Sequence, residues 1–197
     1  MAKFSSAVSY VFGNEGGFQN KPSDPGNWWN GENIGTNHGI AGKTARELGY
    51  QGPMQDLTKD AALDIYERMY WPGLEMIESQ AVATKLLDLR VQFGVGGGTL
   101  LAQKAVNQFE GFNISEDGGF GPQTKNAINE IEPGAYLEAL ATEAEARYRA
   151  DVARHPEKAE WLDGWLDRAW RFPSDNPGTA AAIGLGMIGM LFFLGKK

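Results

Sequence analysis

The sequence predicts a mainly α-helical fold with one small β-hairpin or irregular lobe near residues 18–42. Two observations predict it. Apolar residues recur at three- and four-residue spacing through most of the chain, and Ser, Thr or Pro stands at the start of several of these runs. Residues 18–42 interrupt the pattern with few periodic apolar positions and many Gly, Asn, Pro and Trp. At 197 residues, 42% of them hydrophobic, the chain can build one ordinary domain or two small ones with a sizeable core.

The elements follow in order. Phe4, Ala7, Val8, Val11 and Phe12 form the apolar stripe of a first helix, which Gly13 and Gly16-Gly17 limit. Thr58 can cap a helix running to about Met69. Ser79 precedes Val82, Leu86, Leu89 and Phe93 at helical spacing, and Leu101, Ala105 and Phe109 mark another helix. Gly121-Pro122 opens one through Ala127, Ile128 and Ile131, with Pro at a favourable first-turn position. Long segments from about Ala135 to Arg154 and from Pro156 to Trp170 complete the body.

Composition excludes several classes. With no cysteine there is no disulfide framework, thiol nucleophile or thiolate metal site, and His38 and His155 are too few for a His-based zinc cluster. The net charge is −7, so the chain is a poor counterion for phosphate backbones and nucleic acid is not an expected partner. The N-terminus lacks the long apolar run of a signal peptide.

The C-terminus differs. Thr179–Leu194 carries no charge, and Gly195, Lys196 and Lys197 close the chain after it. As a single hydrophobic helix it would be roughly 24 Å long, a little under the ~30 Å hydrocarbon core, and could span by thinning the bilayer while the lysines snorkel. A buried core helix is the other reading of such a run. Pro173, Pro177 and Gly178 read as a linker, residues 173–178, ahead of an expected transmembrane helix over 179–195.

Chemistry centres on Glu15. It lies three residues after Phe12 and four after Val11, so a continued helix would carry it on the apolar face. Desolvation there favours a protonated carboxyl, which is what a general acid needs. Gly16 and Gly17 remove bulk beside it and would let a substrate approach the backbone. A helix-end Glu that is ion-paired or solvated is the simpler alternative. Asp24 follows after eight intervening residues in Ser23-Asp24-Pro25-Gly26, a turn sequence in its own right. Two facing carboxylates are the arrangement used in glycoside hydrolysis, one as acid and the other holding or activating water. Thr36, Asn37 and His38 offer hydrogen-bonding side chains ahead of Gly39-Ile40.

Asn14-Glu15-Gly16-Gly17-Phe18, Asp24-Pro25-Gly26 and Thr36-Asn37-His38-Gly39-Ile40 together resemble the pattern of the family 108 glycoside hydrolases, N-acetylmuramidases common among phage endolysins and related bacterial murein hydrolases. Asp117-Gly118-Gly119-Phe120-Gly121-Pro122-Gln123-Thr124 is similar to an element of the peptidoglycan-binding region that usually follows, and Trp161–Arg168 to its closing helix. The likeness covers roughly residues 5–172. It implies a lysozyme-like α+β fold, with a muramidase lobe over residues 1–93 and a helical peptidoglycan-binding region over 94–172. It also implies Glu15 as the essential acid; the Glu, eight residues, Asp spacing is similar to that of the T-even-phage lysozymes, and that likeness implies Asp24 positioning or activating water and Thr36 contacting water or sugar. Relatives pass from Asp-Pro-Gly-Gly to Thr within a few residues, whereas eleven separate Asp24 from Thr36 here. The inserted stretch carries Trp28 and Trp29, suited either to stacking on sugar rings or to anchoring the loop, and Glu32, a possible rival to Asp24. Tyr70 and Trp71, before Pro72-Gly73, either line the cleft or belong to the core.

The resemblance implies a peptidoglycan hydrolase cleaving the β-1,4 bond between N-acetylmuramic acid and N-acetylglucosamine, in viral lysis or wall penetration. It needs no cofactor and no metal, and its partner is the glycan strand, bound by a monomeric body. A lytic transglycosylase and a non-catalytic, membrane-anchored wall-binding protein are the alternatives. The tail adds the expectation of a body held on a membrane and facing the wall.

Overall fold

The computed structural model describes residues 1–11 and 17–173. Its helices are α1 (Phe4–Val11), α2 (Gly42–Glu47), α3 (Lys59–Tyr70), α4 (Gln80–Val106), α5 (Pro122–Glu130), α6 (Pro133–Arg154) and α7 (Leu162–Ala169). Four two-residue strands, β1 (Trp28–Trp29), β2 (Glu32–Asn33), β3 (Thr36–Asn37) and β4 (Ile40–Ala41), pair as two antiparallel hairpins. The mainly helical class and the small β lobe near residues 18–42 are therefore as the sequence predicts. Two compact units emerge among the described residues: Met1–Val11 together with residues 73–173, and residues 17–72.

The first unit is built on α4. Ser79 caps it by accepting a hydrogen bond from the Val82 amide, and its first arm buries Val82, Leu86 and Leu89. The arm ends at Gly94, whose φ of 75° and ψ of 163° are not helical and favour glycine. The two helices predicted around Phe93 and Leu101 are thus the two arms of α4, the second ending at Val106, short of Phe109. The arms approach closely, and a Cβ on Gly98 would lie 2.6 Å from the Arg90 backbone nitrogen. α1 buries Ala7, Val8 and Val11 and packs against α4, while Gln80 exchanges hydrogen bonds with the backbone of Lys3. α6 begins with Pro133 and is capped by the Glu132 carboxylate, which accepts from Gly134 and Ala135. Across the α4–α6 contact, Tyr136 is fully buried and its hydroxyl donates to the Ala102 carbonyl at 2.9 Å.

Several polar side chains inside this unit find partners across it. Gln103, 1% exposed, donates to Asp117 Oδ1 at 2.8 Å and to the Gly119 carbonyl at 2.9 Å, and accepts from the Gly118 amide. The Asp-Gly-Gly loop is therefore wrapped around one buried amide. At the far end Arg168 pairs with buried Asp88 at 2.5 Å, and fully buried Lys85 donates to the carbonyls of Arg168 and Arg171. The last predicted helix starts differently from expectation. Residues Pro156–Trp161 form a 3₁₀ turn, closed by Lys158 N–H on the His155 carbonyl, before α7 begins.

The second unit holds the hairpins, α2 and α3. Asn30 (φ 48°) and Gly31 (φ 85°) occupy the turn between β1 and β2, the positive-φ pair of a two-residue hairpin. His38 (φ 48°) and Gly39 (φ 72°) do the same between β3 and β4. Thr58 caps α3, accepting from the Ala61 amide, and Ala62, Ile65, Tyr66 and Tyr70 form its buried face. The Arg46 guanidinium on α2 gathers the carbonyls of Tyr50 and Gly52 and so shapes the α2–α3 connection.

The expected membrane anchor requires a correction. Among the described residues no helix is long and apolar enough to cross a membrane. Residues 179–195, where the span was expected, and residues 174–178 of the linker lie outside the described residues. Attachment to a membrane through a C-terminal helix, and with it the expected location on a membrane facing the wall, is withdrawn.

Candidate active site

Glu15 and Gly16 lie outside the described residues. The geometry here belongs to the other predicted site residues, in the second unit. Asp24 does what Asp-Pro-Gly predicts locally: Oδ1 accepts from the Gly26 amide at 2.9 Å and opens a 3₁₀ turn over Pro25–Asn27. The turn delivers Asn27 into the interior, with 0% exposure. Its carbonyl accepts from both Ile34 N (2.7 Å) and Gly35 N (3.1 Å). The inserted Trp28–Asn33 hairpin thus leaves from Asn27 and returns to it, and Thr36 arrives beside the Asp24 turn despite the eleven intervening residues. The Thr36 hydroxyl donates to Asn27 Oδ1 at 2.6 Å.

Gln19 completes the cluster. Its backbone exchanges two hydrogen bonds with Thr36, at 2.8 and 2.7 Å. Its side-chain Nε2 donates to Asp24 Oδ2 at 3.1 Å and to Asn27 Oδ1 at 3.3 Å, while Oε1 accepts from Asn27 Nδ2 at 3.1 Å and Lys21 N at 2.8 Å. Asn27 Nδ2 also donates to the Lys21 carbonyl at 3.0 Å. Asp24, Gln19, Asn27 and Thr36 form one network. Sequence reasoning names its two ends and misses the two amides. The available signal was Asn27 itself, which stands in place of the second glycine of the relatives' Asp-Pro-Gly-Gly.

The other predicted residues divide. Gly17 is exposed. Trp28 is 40% exposed, its indole N–H held by the Pro22 carbonyl at 3.0 Å, while Trp29 is half-buried opposite exposed Glu32. Asn37 is buried, and its amide donates to the Met54 carbonyl at 2.8 Å, tying the second hairpin to the turn that follows α2. His38 is the turn residue described above. Tyr70 and Trp71 are 5% and 6% exposed, and burial pushes the Tyr70 hydroxyl up to about 12. The hollow that Tyr70 lines with Tyr66, Ile40 and Thr44 is about 10 Å³, enough for about one water and far too small for a sugar.

Chemically, the network presents a half-exposed carboxylate and a half-exposed hydroxyl on one hydrogen-bonded loop, beside an exposed indole. Among the described residues no group of three or more acids or histidines is placed to hold a metal ion. The arrangement suits holding water against a substrate.

Comparison with known proteins extends this. Residues 8–94 match the family model described as glycosyl hydrolase 108, and residues 96–170 match that of a predicted peptidoglycan domain. The two matches meet at the Gly94 break in α4. A solved structure titled as Brucella abortus SagA is similar in fold, with a TM-score of 0.62 at 24% identity over 84% of this chain and 92% of that one. Among curated proteins none matches.

Proposed function

The chain is a glycoside hydrolase, with a glycosyl hydrolase 108 domain followed by a predicted peptidoglycan domain, and on that premise we propose that it cuts peptidoglycan at the β-1,4 bond between N-acetylmuramic acid and N-acetylglucosamine. The observation that carries the reading is the union of Asp24 and Thr36 through Gln19 and Asn27, which restores the pairing that the long insertion would otherwise separate. Glu15 supplies the acid. Its proton passes to the glycosidic oxygen as the bond to the anomeric carbon breaks and the electron pair leaves with that oxygen. A water held by Asp24 and Thr36 adds to the anomeric carbon, and its proton goes to the Asp24 carboxylate. The products are two shorter strands, one with a new reducing end, and solvent restores both carboxyl groups. Trp28 and Trp29 on the hairpin offer faces for neighbouring sugar rings. The muramidase lobe, lysozyme-like in this reading, spans residues 1–93, and residues 94–172 hold the strand.

Glu15→Gln tests it. Release of muropeptides falls by about 10²–10⁴-fold, the usual contribution of a general acid, with the circular dichroism spectrum unchanged. Mass spectrometry of wild-type products gives reducing ends. Retention of more than about a tenth of activity would remove Glu15 from the mechanism, and anhydro-muramic ends would make the enzyme a transglycosylase.

A further inference from the structure

The chemical polarity of the site is set by two side chains that act on nothing themselves. Lys21 is the reference point, because a backbone N–H can only donate and a carbonyl can only accept. Lys21 N requires an acceptor and receives Gln19 Oε1; Lys21 O requires a donor and receives Asn27 Nδ2. Each amide is thereby locked against flipping. Gln19 must then turn Nε2 toward Asp24, and Asn27 must turn Oδ1 toward Thr36. A hydroxyl has one proton and two lone pairs, so Thr36, having spent its proton on Asn27, faces the remaining space as an acceptor only. Asp24 receives Nε2–H on one oxygen and the Gly26 N–H on the other, so both of its oxygens act as acceptors.

We infer that Gln19 and Asn27 are positioning residues for hydrolysis, fixing Asp24 and Thr36 as a pair of acceptors that together hold a water by both of its protons. A water held so keeps its lone pairs for the anomeric carbon. The inference rests on the reading of Asp24 as the group that takes the water's proton. All four hydrogen-bonding positions of each amide are filled within the cluster, so neither amide has a group left for substrate. Charged groups nearby are Lys21 on the loop itself and, on α2, which packs against the Pro25–Asn27 turn, Lys43, Arg46 and Glu47. Lys43 and Glu47 are 4.0 Å apart, and Arg46 is turned to the Tyr50 and Gly52 carbonyls.

The test is the pH profile of Gln19→Glu on soluble peptidoglycan fragments, beside wild type and Asp24→Asn. A carboxylate in place of Nε2 at 3.1 Å from Asp24 cannot share ionisation freely with it, so the acid limb of kcat/KM moves up by about one pH unit or more. Loss of stability alone would lower activity without moving that limb. Gln19→Met, which removes the donor without adding charge, lowers kcat by about 10–100-fold while KM stays within about threefold. An unmoved acid limb in Gln19→Glu, with Asp24→Asn inactive, overturns the inference and leaves the function standing. Full activity of Asp24→Asn overturns the role of Asp24 instead. Where Gln19→Glu does not fold, an unchanged kcat in Gln19→Met decides against the inference in the same way.

Discussion

The Thr36 hydroxyl donates to the side-chain oxygen of Asn27 at 2.6 Å, across nine positions of sequence that include an entire β-hairpin. That bond is local in space only because the Asn27 carbonyl also collects the amides of Ile34 and Gly35. Thr36→Val removes the proton from the bond and leaves a fully buried acceptor short of a partner, at a cost of about 1–3 kcal/mol in stability. It also removes one of the two groups proposed to hold water, and muropeptide release falls by about 10-fold or more. Thr36→Ser keeps the hydroxyl and stays within a few-fold of wild type. Paired thermal melts and turnover assays on the two variants check the contrast.

Trp28 stands 40% exposed on β1, and its indole N–H is already satisfied by Pro22. Its removal touches little of the core, so Trp28→Ala leaves the melting temperature nearly unchanged. If the ring stacks on sugar, the variant binds soluble peptidoglycan fragments about 5–10-fold more weakly, or ~1–1.4 kcal/mol. Calorimetric titration reads this, and unchanged affinity would leave Trp28 as a loop anchor.

Asp88 joins α4 to α7 through Arg168 and lies 3.9 Å from the Lys85 ammonium. Asp88→Ala takes the carboxylate from between Lys85 and Arg168 and leaves Lys85 only its carbonyl partners, which costs about 3–5 kcal/mol. For a chain of this size that is a fall of roughly 6–20 °C in melting temperature. Asp88→Asn, which still accepts from Arg168, loses less. Differential scanning calorimetry of both variants gives the order.

Burial lowers the Lys85 ammonium to about 8, against an ordinary value of 10.5. Between those values the unfolded chain holds the proton more firmly than the folded one, so stability rises with pH through this window. The penalty is in full force below pH 8 and is relieved as pH climbs. Above about 10 the buried hydroxyls of Tyr10, Tyr136 and Tyr148, raised by desolvation, reverse the trend, because the unfolded chain then loses protons first. Denaturant unfolding should therefore give a gain of roughly 2–3 kcal/mol from pH 8 to 10, and Lys85→Met should flatten it.

Local signals carried most of the fold. Thr58, Ser79 and Pro122 stand where the caps and first turns of α3, α4 and α5 lie, because capping depends on residues within one turn of the helix end. α2 is six residues long and opens with glycine, too short for a periodic stripe to declare itself. The 3₁₀ turn before α7 has the same cause. In the site, Asp24 was legible as a turn starter, but Gln19 and Asn27 acquire their roles only when β3 returns beside Gln19. A polar residue in a loop says nothing of what it will face. Asn37 illustrates the converse: placed next to Thr36 in sequence, it sends its amide to the Met54 carbonyl. The tail's apolar run promised a membrane span that no described helix supplies.

The hairpin at Trp28–Asn33 begins and ends on a single residue, while the Trp28 indole and the Asn33 amide tie its base to the carbonyls of Pro22 and Asn20. Its tip beyond those two ties can be swapped for another antiparallel turn, longer, shorter or differently decorated, as a cartridge is changed in a fixed holder. A library of such tips on this chain would ask what the hairpin grips while Asp24 and Thr36 stay where Gln19 and Asn27 hold them.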